Sequence, residues 1–383
     1  MAGLCKETQS RGKTRVLLLG PLPPPFGGPE IMTEVLLEGL RKHGQFSIRH
    51  VDTQVSRSLA EKGGKKQLRK SMRAIGQVVR VMAFFVSFRP DVLYLPLTNS
   101  PSFWGFLRDA VLMLPGLLIR TRVVVRLHGG RYLYAGSRGL KRAVVRTVLG
   151  RVSVVMVQGE RLTSVFGELV KGERVVVVPN GLDWPAAERD QRHRNGEGIV
   201  SKRVLFVGLM CREKGFHDVI AAVPLVPDGE FVFAGEWASP DDERETREFL
   251  RREGATARVV FSGVVSGADK YRLFASADVF VLPSYFAYEG HAVSSVEALA
   301  AALPIVCTDH GALNESVRDG WNGYFVSRSD PEAIAERLNR LLKDDGLRRA
   351  MGARSRRLYR ERFTLRHFAK NWSEAILRAM SGT

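Results

Sequence analysis

The chain has little of what marks a secreted, zinc-stapled or membrane-spanning protein. Among its 383 residues are three cysteines, Cys5, Cys211 and Cys307, an odd number set far apart with no close Cys or His partner. That pattern excludes a disulfide framework and a structural zinc site, and it fits a reducing, cytosolic setting. Long hydrophobic runs are missing as well. The longest, residues 110–119, contains Pro115, is flanked by Arg108, Asp109 and Arg120, and is about half of the ~20 residues that span a bilayer. Residues 1–14 are polar and lack an export signal's apolar core, and Ala2 stands where N-myristoylation requires glycine. Neither a solenoid-length repeat nor a low-complexity tract is visible.

Acidic residues are scarce in one half only. The formal net charge is +18, from 58 Lys plus Arg against 40 Asp plus Glu. Residues 1–185 hold 29 basic and 12 acidic side chains, whereas residues 186–383 hold 29 and 28. Such an imbalance points to anionic partners: nucleic acid, acidic lipid headgroups or nucleotide phosphates. The cations are spread through apolar, periodic segments, which describes a charged folded surface rather than a disordered arm.

What is present reads as two α/β domains. With 45% hydrophobic and 26% charged residues, the chain is globular and too long for one ordinary core. Residues 13–20 and 202–208 open the two halves alike, with a basic start, an unbroken apolar run and a glycine. Continuous apolar character suits a parallel strand buried on both faces. Further strands are expected at 91–95, 122–127, 152–157 and 174–178, then at 230–234, 259–262, 278–282, 304–307 and 323–326, mostly alternating with helical patterns. This predicts a basic N-terminal domain at 1–185, a linker at 186–200, a second domain at 201–365 and a C-terminal helix at 366–383 that packs back toward the first. Two doubly wound domains facing one another leave a cleft at the carboxyl ends of their strands, where ligands bind.

The densest chemical signal runs from Asp278 to Pro304. A strand pattern ends at Pro283, a loop carries Glu289-Gly290-His291, and a helical pattern covers 293–302. The backbone N–H groups of Gly290, His291 and Ala292 fall where a helix N-terminus meets an anion, and Gly290 permits close approach of a phosphate. Spacing alone leaves a second reading, in which Glu289 caps the helix and Glu297 is a solvated helix charge.

The segment resembles the E-x7-E motif of retaining glycosyltransferase family 4, the glycosyl transferases group 1, whose GT-B fold sets two Rossmann-like domains across a cleft. The likeness continues through Ile305–Glu315 and Asp319–Val326, and back to Val177-Val-Pro-Asn-Gly-Leu-Asp183, Val207-Gly-Leu-Met-Cys-Arg-Glu-Lys-Gly215 and Val260-Phe-Ser-Gly263. The resemblance implies that Glu289 meets the donor sugar and Glu297 the nucleotide ribose. It implies that Lys214 stabilises the departing diphosphate; Leu209 occupies the place where the family usually carries the arginine, and Arg212, three residues on, either reaches the same phosphate as a donor-binding residue or is a surface loop charge. Gly27 and Gly28 resemble the glycine loop beneath the diphosphate and acceptor. His128, in Arg126-Leu-His-Gly-Gly130, resembles the active-site histidine near the anomeric centre; its plain alternative is a satisfied strand-end histidine. His291 stands at a usually apolar position, as a donor contact or a variant loop residue. Asn180-Gly181 and Asp183 resemble a structural turn. Asp241-Asp242 reads as the acidic start of a helix rather than a metal motif, and neither a cofactor nor a metal is expected.

Two basic segments remain. In residues 65–88, Leu68, Met72, Ile75, Val79, Met82 and Val86 fall at helical spacing with Lys65, Lys66, Arg69, Lys70, Arg73 and Arg80 elsewhere around the helix; residues 138–151 are also basic and apolar. Such helices suit an anionic bilayer, or else their apolar sides face the core. No nucleic-acid recognition motif accompanies them. The expected function is metal-independent, retaining transfer of a sugar from a nucleotide-sugar, with UDP or GDP as the expected nucleotide, to a glycan or lipid-linked hydroxyl in cell-envelope polysaccharide synthesis. The expected location is cytoplasmic, peripheral on the inner face of the plasma membrane. The alternatives are a GT-B epimerase or phosphorylase, or a non-catalytic membrane-associated relative.

Overall fold

A computed structural model describes residues 13–54, 64–99, 102–119, 121–185 and 202–382, without the side chains of residues 43 and 64–71. The linker expected at 186–200, Cys5, and the side chains of Lys65, Lys66, Leu68, Arg69 and Lys70 lie outside what is described.

Among the described residues two sheets of six strands form, and all their pairings are parallel. The first contains β1 (Arg15–Gly20), β2 (Ser47–Asp52), β3 (Val92–Leu97), β4 (Arg122–Leu127), β5 (Val154–Val157) and β6 (Val175–Val177), in the order β2-β1-β3-β4-β5-β6. The second contains β7 (Lys202–Val207), β8 (Gly229–Ala234), β9 (Val259–Gly263), β10 (Val279–Leu282), β11 (Ile305–Thr308) and β12 (Gly323–Val326), in the order β12-β11-β10-β7-β8-β9. Each order reverses beside its first strand, which opens a crevice at the carboxyl ends of β1 and β3 and of β7 and β10. The unbroken apolar runs make this arrangement possible: Val16, Leu17, Leu18 and Leu19 are all fully buried, so both faces of β1 are covered. β2, absent from the sequence-based strands, is an edge strand whose Ser-Ile-Arg-His-Val-Asp is only partly covered.

In the first domain α1 (Gly28–His43) packs on one face of the sheet, and α2 (Gly64–Ser87), α3 (Phe103–Leu118) and α4 (Gly139–Leu149) pack on the other. The second domain carries α5 (Phe216–Ala222), α6 (Pro240–Arg252), α7 (Gly267–Ala275), α8 (Val293–Ala300), α9 (Pro331–Lys343) and α10 (Asp345–Arg362). The α9–α10 break lies at Asp344, whose carboxylate accepts from the Leu347 N–H, while Gly352 is buried inside α10.

The last helix, α11 (Leu365–Ser381), crosses to the first domain. Thr364 caps it, and Phe368, Trp372 and Ile376 join Met32, Leu36 and Tyr94 in one core. Trp372 meets Phe46 and Tyr94 edge-on at 5.8 and 5.3 Å. At the crossing, Leu182 donates to the Phe363 carbonyl and accepts from the Leu365 N–H and the Tyr359 hydroxyl. These bonds tie the domains together behind the cleft.

Candidate functional site

The second domain's part of the site begins where β10 ends. The chain turns at Pro283, and Ser284 to His291 form a loop before α8. Glu289 is drawn inward there: the Lys214 ammonium lies 2.7 and 3.0 Å from its two carboxylate oxygens, and the Ser284 hydroxyl donates to one of them. Lys214 sits in the short 3-10 turn after β7, 5.3 Å over the Phe286 ring. Two glycines allow this packing. A Cβ at Gly130 or Gly311 would stand 2.1 Å from the Glu289 carbonyl oxygen, so at both positions only hydrogen fits. Glu289 is 5% exposed, which makes Lys214 its indispensable counter-charge.

Glu297 lies one turn into α8 and is equally buried. Its partner is Lys270 of α7, 2.5 Å away. Burial raises the carboxyl's pKa and the nearby ammonium opposes that rise, while the ion pair leaves the Lys270 pKa above its ordinary value. Thus the two glutamates of the E-x7-E pattern each hold one lysine on the same side of the second sheet. Glu34 of α1 adds a negative charge near Lys270, which brings the first domain's α1 across to this pair.

The first domain's wall meets the same loop. β4 ends at Leu127, and His128 follows at its carboxyl end, partly exposed. Burial of the imidazole, together with the Arg126 guanidinium, holds its pKa well below the ordinary value, so it is neutral near pH 7. Gly290 packs so closely on Gln158 that a Cβ would stand 1.8 Å from the amide oxygen. Gly27 is the N-cap of α1, and Gly28 opens that helix with no neighbour within 4 Å of where a Cβ would stand.

His291, expected as a donor contact or a variant loop residue, has its groups engaged within the protein. Its backbone N–H donates to Gln158 at 3.1 Å, so that N–H is not available to a phosphate. The ring is buried in a polar network between the domains: Asn180 N–H donates to Nδ1 at 3.1 Å, and Nε2 is 2.8 Å from the Ser316 hydroxyl. A backbone N–H only donates, so Nδ1 carries no proton and the ring is the neutral Nε2–H tautomer. Burial, with lesser effects of Arg126 and Arg362, lowers its pKa to about 3. The Asn180 side chain donates to the His291 carbonyl at 2.6 Å and accepts from Arg126 and Gln158. Asn180 therefore fastens the domains, beyond being part of a turn.

Of the remaining expected residues, Ala292 is the N-cap of α8. Arg212 is exposed, and its charge partly offsets the burial that raises the Asp218 pKa. Leu209 is 40% exposed and supplies no charge. Asp183 forms an exposed pair with Lys42 at 2.9 Å, and Asp242 lies at the start of α6, where its N–H donates to the Ser239 hydroxyl. Among the described residues no group of three or more His, Cys, Asp or Glu could hold a metal ion. The sequence reading missed Lys270, Gln158 and Ser284. Ser284 neighbours the motif, but the other two reach it from remote elements and carry no spacing signal.

Residues 188–358 match the family model of the glycosyl transferases group 1. An uncharacterized glycosyltransferase of Methanocaldococcus jannaschii is 30% identical over 222 residues, 55% of this chain and 55% of its own length. Phosphatidyl-myo-inositol mannosyltransferase of Mycolicibacterium smegmatis is 30% identical over 229 residues, 58% of this chain and 56% of its own. The chain spans about half the length of the curated relatives it matches. Two solved structures share the fold across both domains. The HepE protein of Anabaena in complex with UDP and glucose has a TM-score of 0.67 at 18% identity, covering 95% of this chain and 99% of that one. Sucrose-phosphate synthase from Thermosynechococcus elongatus has a TM-score of 0.73 at 17% identity, covering 97% and 100%.

Proposed function

We propose that the chain is a member of the glycosyl transferases group 1, whose family model matches its residues 188–358, and that on the GT-B fold it shares with the two solved structures it transfers a sugar from a nucleotide-sugar to a hydroxyl acceptor with retention of configuration. The observation that carries this reading is the pair Glu289 and Glu297, both buried and each held by a lysine at the carboxyl end of the second sheet, with the Glu289 backbone packed on Gly130 of the His128 loop of the first domain. Glu297 accepts from the ribose hydroxyls and Glu289 from the sugar hydroxyls, by charge-assisted hydrogen bonds. Lys214 keeps its pairing with Glu289 and offers its remaining ammonium N–H to the diphosphate as that group departs, which stabilises the leaving group where negative charge grows. The glycosidic C1–O bond to phosphate breaks, the acceptor oxygen bonds to C1 on the same face, and the acceptor proton passes to a phosphate oxygen. Neutral His128 donates a hydrogen bond near the anomeric centre.

Because Lys214 supplies the leaving-group cation, the transfer runs without a catalytic metal. UDP or GDP is the nucleotide, and the acceptor is a glycan or lipid-linked hydroxyl of the cell envelope, met at the inner face of the plasma membrane. The phosphatidyl-myo-inositol mannosyltransferase relative supports a lipid-linked acceptor. A panel of nucleoside diphosphates and nucleotide-sugars in a thermal-shift assay tests donor binding, since a ligand that binds only the folded state raises its melting temperature. Radiolabelled transfer then tests turnover. Leu209 favours one other reading, a donor-binding protein without turnover, and binding without transfer from any donor decides for it.

A further inference from the structure

The outer layer of the first domain carries an apolar surface that the cleft chemistry does not use. α2 and α3 pack side by side on the first sheet and bury Val81, Phe85, Leu112 and Met113 against it. Their opposite sides stay open among the described residues. On α2, Met72, Ile75, Val79, Met82 and Val86 follow at steps of three and four residues, hence on one stripe, and each is at least 50% exposed. On α3, Trp104 in the first turn is 78% exposed, and Leu118 and Ile119 at the other end are 71% and 61% exposed. For residues 65–88 the alternative in which Met72, Ile75, Val79, Met82 and Val86 face the core therefore fails, because Val81 and Phe85 take that place. An open apolar surface of this extent marks an interaction site.

The chain segments that build it are poor in acids. Between Gly64 and Arg151 the chain holds 17 Lys and Arg and two acids, Asp91 and Asp109. Asp91 is paired with Arg15, and Asp109 is buried. α4 sets Lys141 beside α3, its ammonium 5.6 Å over the Phe103 ring, and Arg146 is exposed one turn further along.

We propose that the α2–α3 face docks onto an anionic bilayer, with its exposed apolar side chains entering the acyl boundary and the flanking cations meeting headgroup phosphates. A second copy of this chain brings cations and no acids to the same face, and a nucleic acid offers no apolar surface to the stripe. α3 starts beyond the carboxyl end of β3, so docking through Trp104 turns the acceptor side of the cleft toward the headgroups. The inference rests on the membrane location proposed above and assigns it a surface; because that surface stands apart from the donor site, failure of vesicle binding is distinguishable from failure of donor binding or transfer.

Co-sedimentation of the purified full chain with vesicles tests it. Phosphatidylcholine vesicles containing phosphatidylglycerol are expected to bind at least about tenfold more tightly than phosphatidylcholine alone. High salt weakens that binding without abolishing it, because apolar insertion is not screened. Ile75→Asp with Met82→Asp lowers it by about tenfold or more, while nucleoside-diphosphate stabilisation of the variant is unchanged. Should that variant fail to fold, Val79→Gln with Val86→Gln is read in the same way. Brominated lipids quench tryptophan emission of the wild type, and Trp104→Phe loses most of the quenching. The inference is overturned by a wild type that stays in the supernatant, by equal recovery on both vesicles, or by variants that bind as the wild type does. It is also overturned if the face mediates self-association in solution that the same substitutions abolish.

Discussion

Replacing Glu297 by Gln removes one charge from a buried pair and leaves the other. The side chains of Glu297 and Lys270 are 5% and 17% exposed and lie 2.5 Å apart. An ammonium left there unpaired destabilises the fold by about 3–5 kcal/mol. The same substitution replaces charge-assisted bonds to the ribose with neutral ones, and a hydrogen bond to a charged group contributes about 1.5–3 kcal/mol, so donor affinity falls roughly tenfold or more. The two losses separate in a double-mutant cycle with Lys270→Met. The double variant has no orphan charge, so urea unfolding is expected to show most of the lost stability restored, while titration calorimetry shows nucleotide affinity still low. A double variant as unstable as Glu297→Gln alone would refute the buried-pair reasoning. Recovery of nucleotide affinity in the double variant would refute the ribose role.

Further expectations rest on neighbouring contacts. Lys214→Ala leaves buried Glu289 without its counter-charge and the leaving group without a cation; turnover in a transfer assay is expected to fall about 100-fold or more, and thermal melting to show lower stability. His291 is neutral in the folded protein, with a pKa of about 3, but takes up a proton near pH 6.5 when unfolded. Stability from this residue is therefore present above pH 6.5 and declines as pH falls toward 3, at up to about 1.4 kcal/mol per pH unit. Urea unfolding at pH 7, 6 and 5 is expected to show a shallower decline in His291→Gln than in the wild type. Gly290→Ala drives a Cβ into the Gln158 amide; melting is expected to shift down, by an overpacking cost of about 1–3 kcal/mol, with loss of donor binding because the Glu289 loop moves.

Much of the architecture was legible because parallel strands covered on both faces need unbroken apolar runs, and β4 and β12 appear with the expected bounds. β2 was not, since an edge strand with Arg49 and His50 carries no such run. The site divides along similar lines. Glu289, Glu297 and Lys214 stand in a local order that survives in sequence, and the structure brings all three to one end of the second sheet. Lys270 and Gln158 reach them from α7 and the loop after β5, contacts that only the folded chain creates. His291 stands in the motif as either a donor contact or a variant loop residue, and only the folded chain shows its ring held in the core by Asn180 and Ser316. Charge was located correctly in the first half, but which apolar side chains remain open on α2 and α3 depends on how those helices lie on the sheet.

The measurement that bears most directly on the transfer mechanism is the anomeric configuration of the product, read by NMR after incubation of the protein with whichever nucleotide-sugar stabilises it and a hydroxyl acceptor. Transfer with the donor's configuration kept, unaffected by a chelator and lost in Glu289→Gln, is the predicted result. An inverted product, or no transfer from a donor that demonstrably binds, contradicts it.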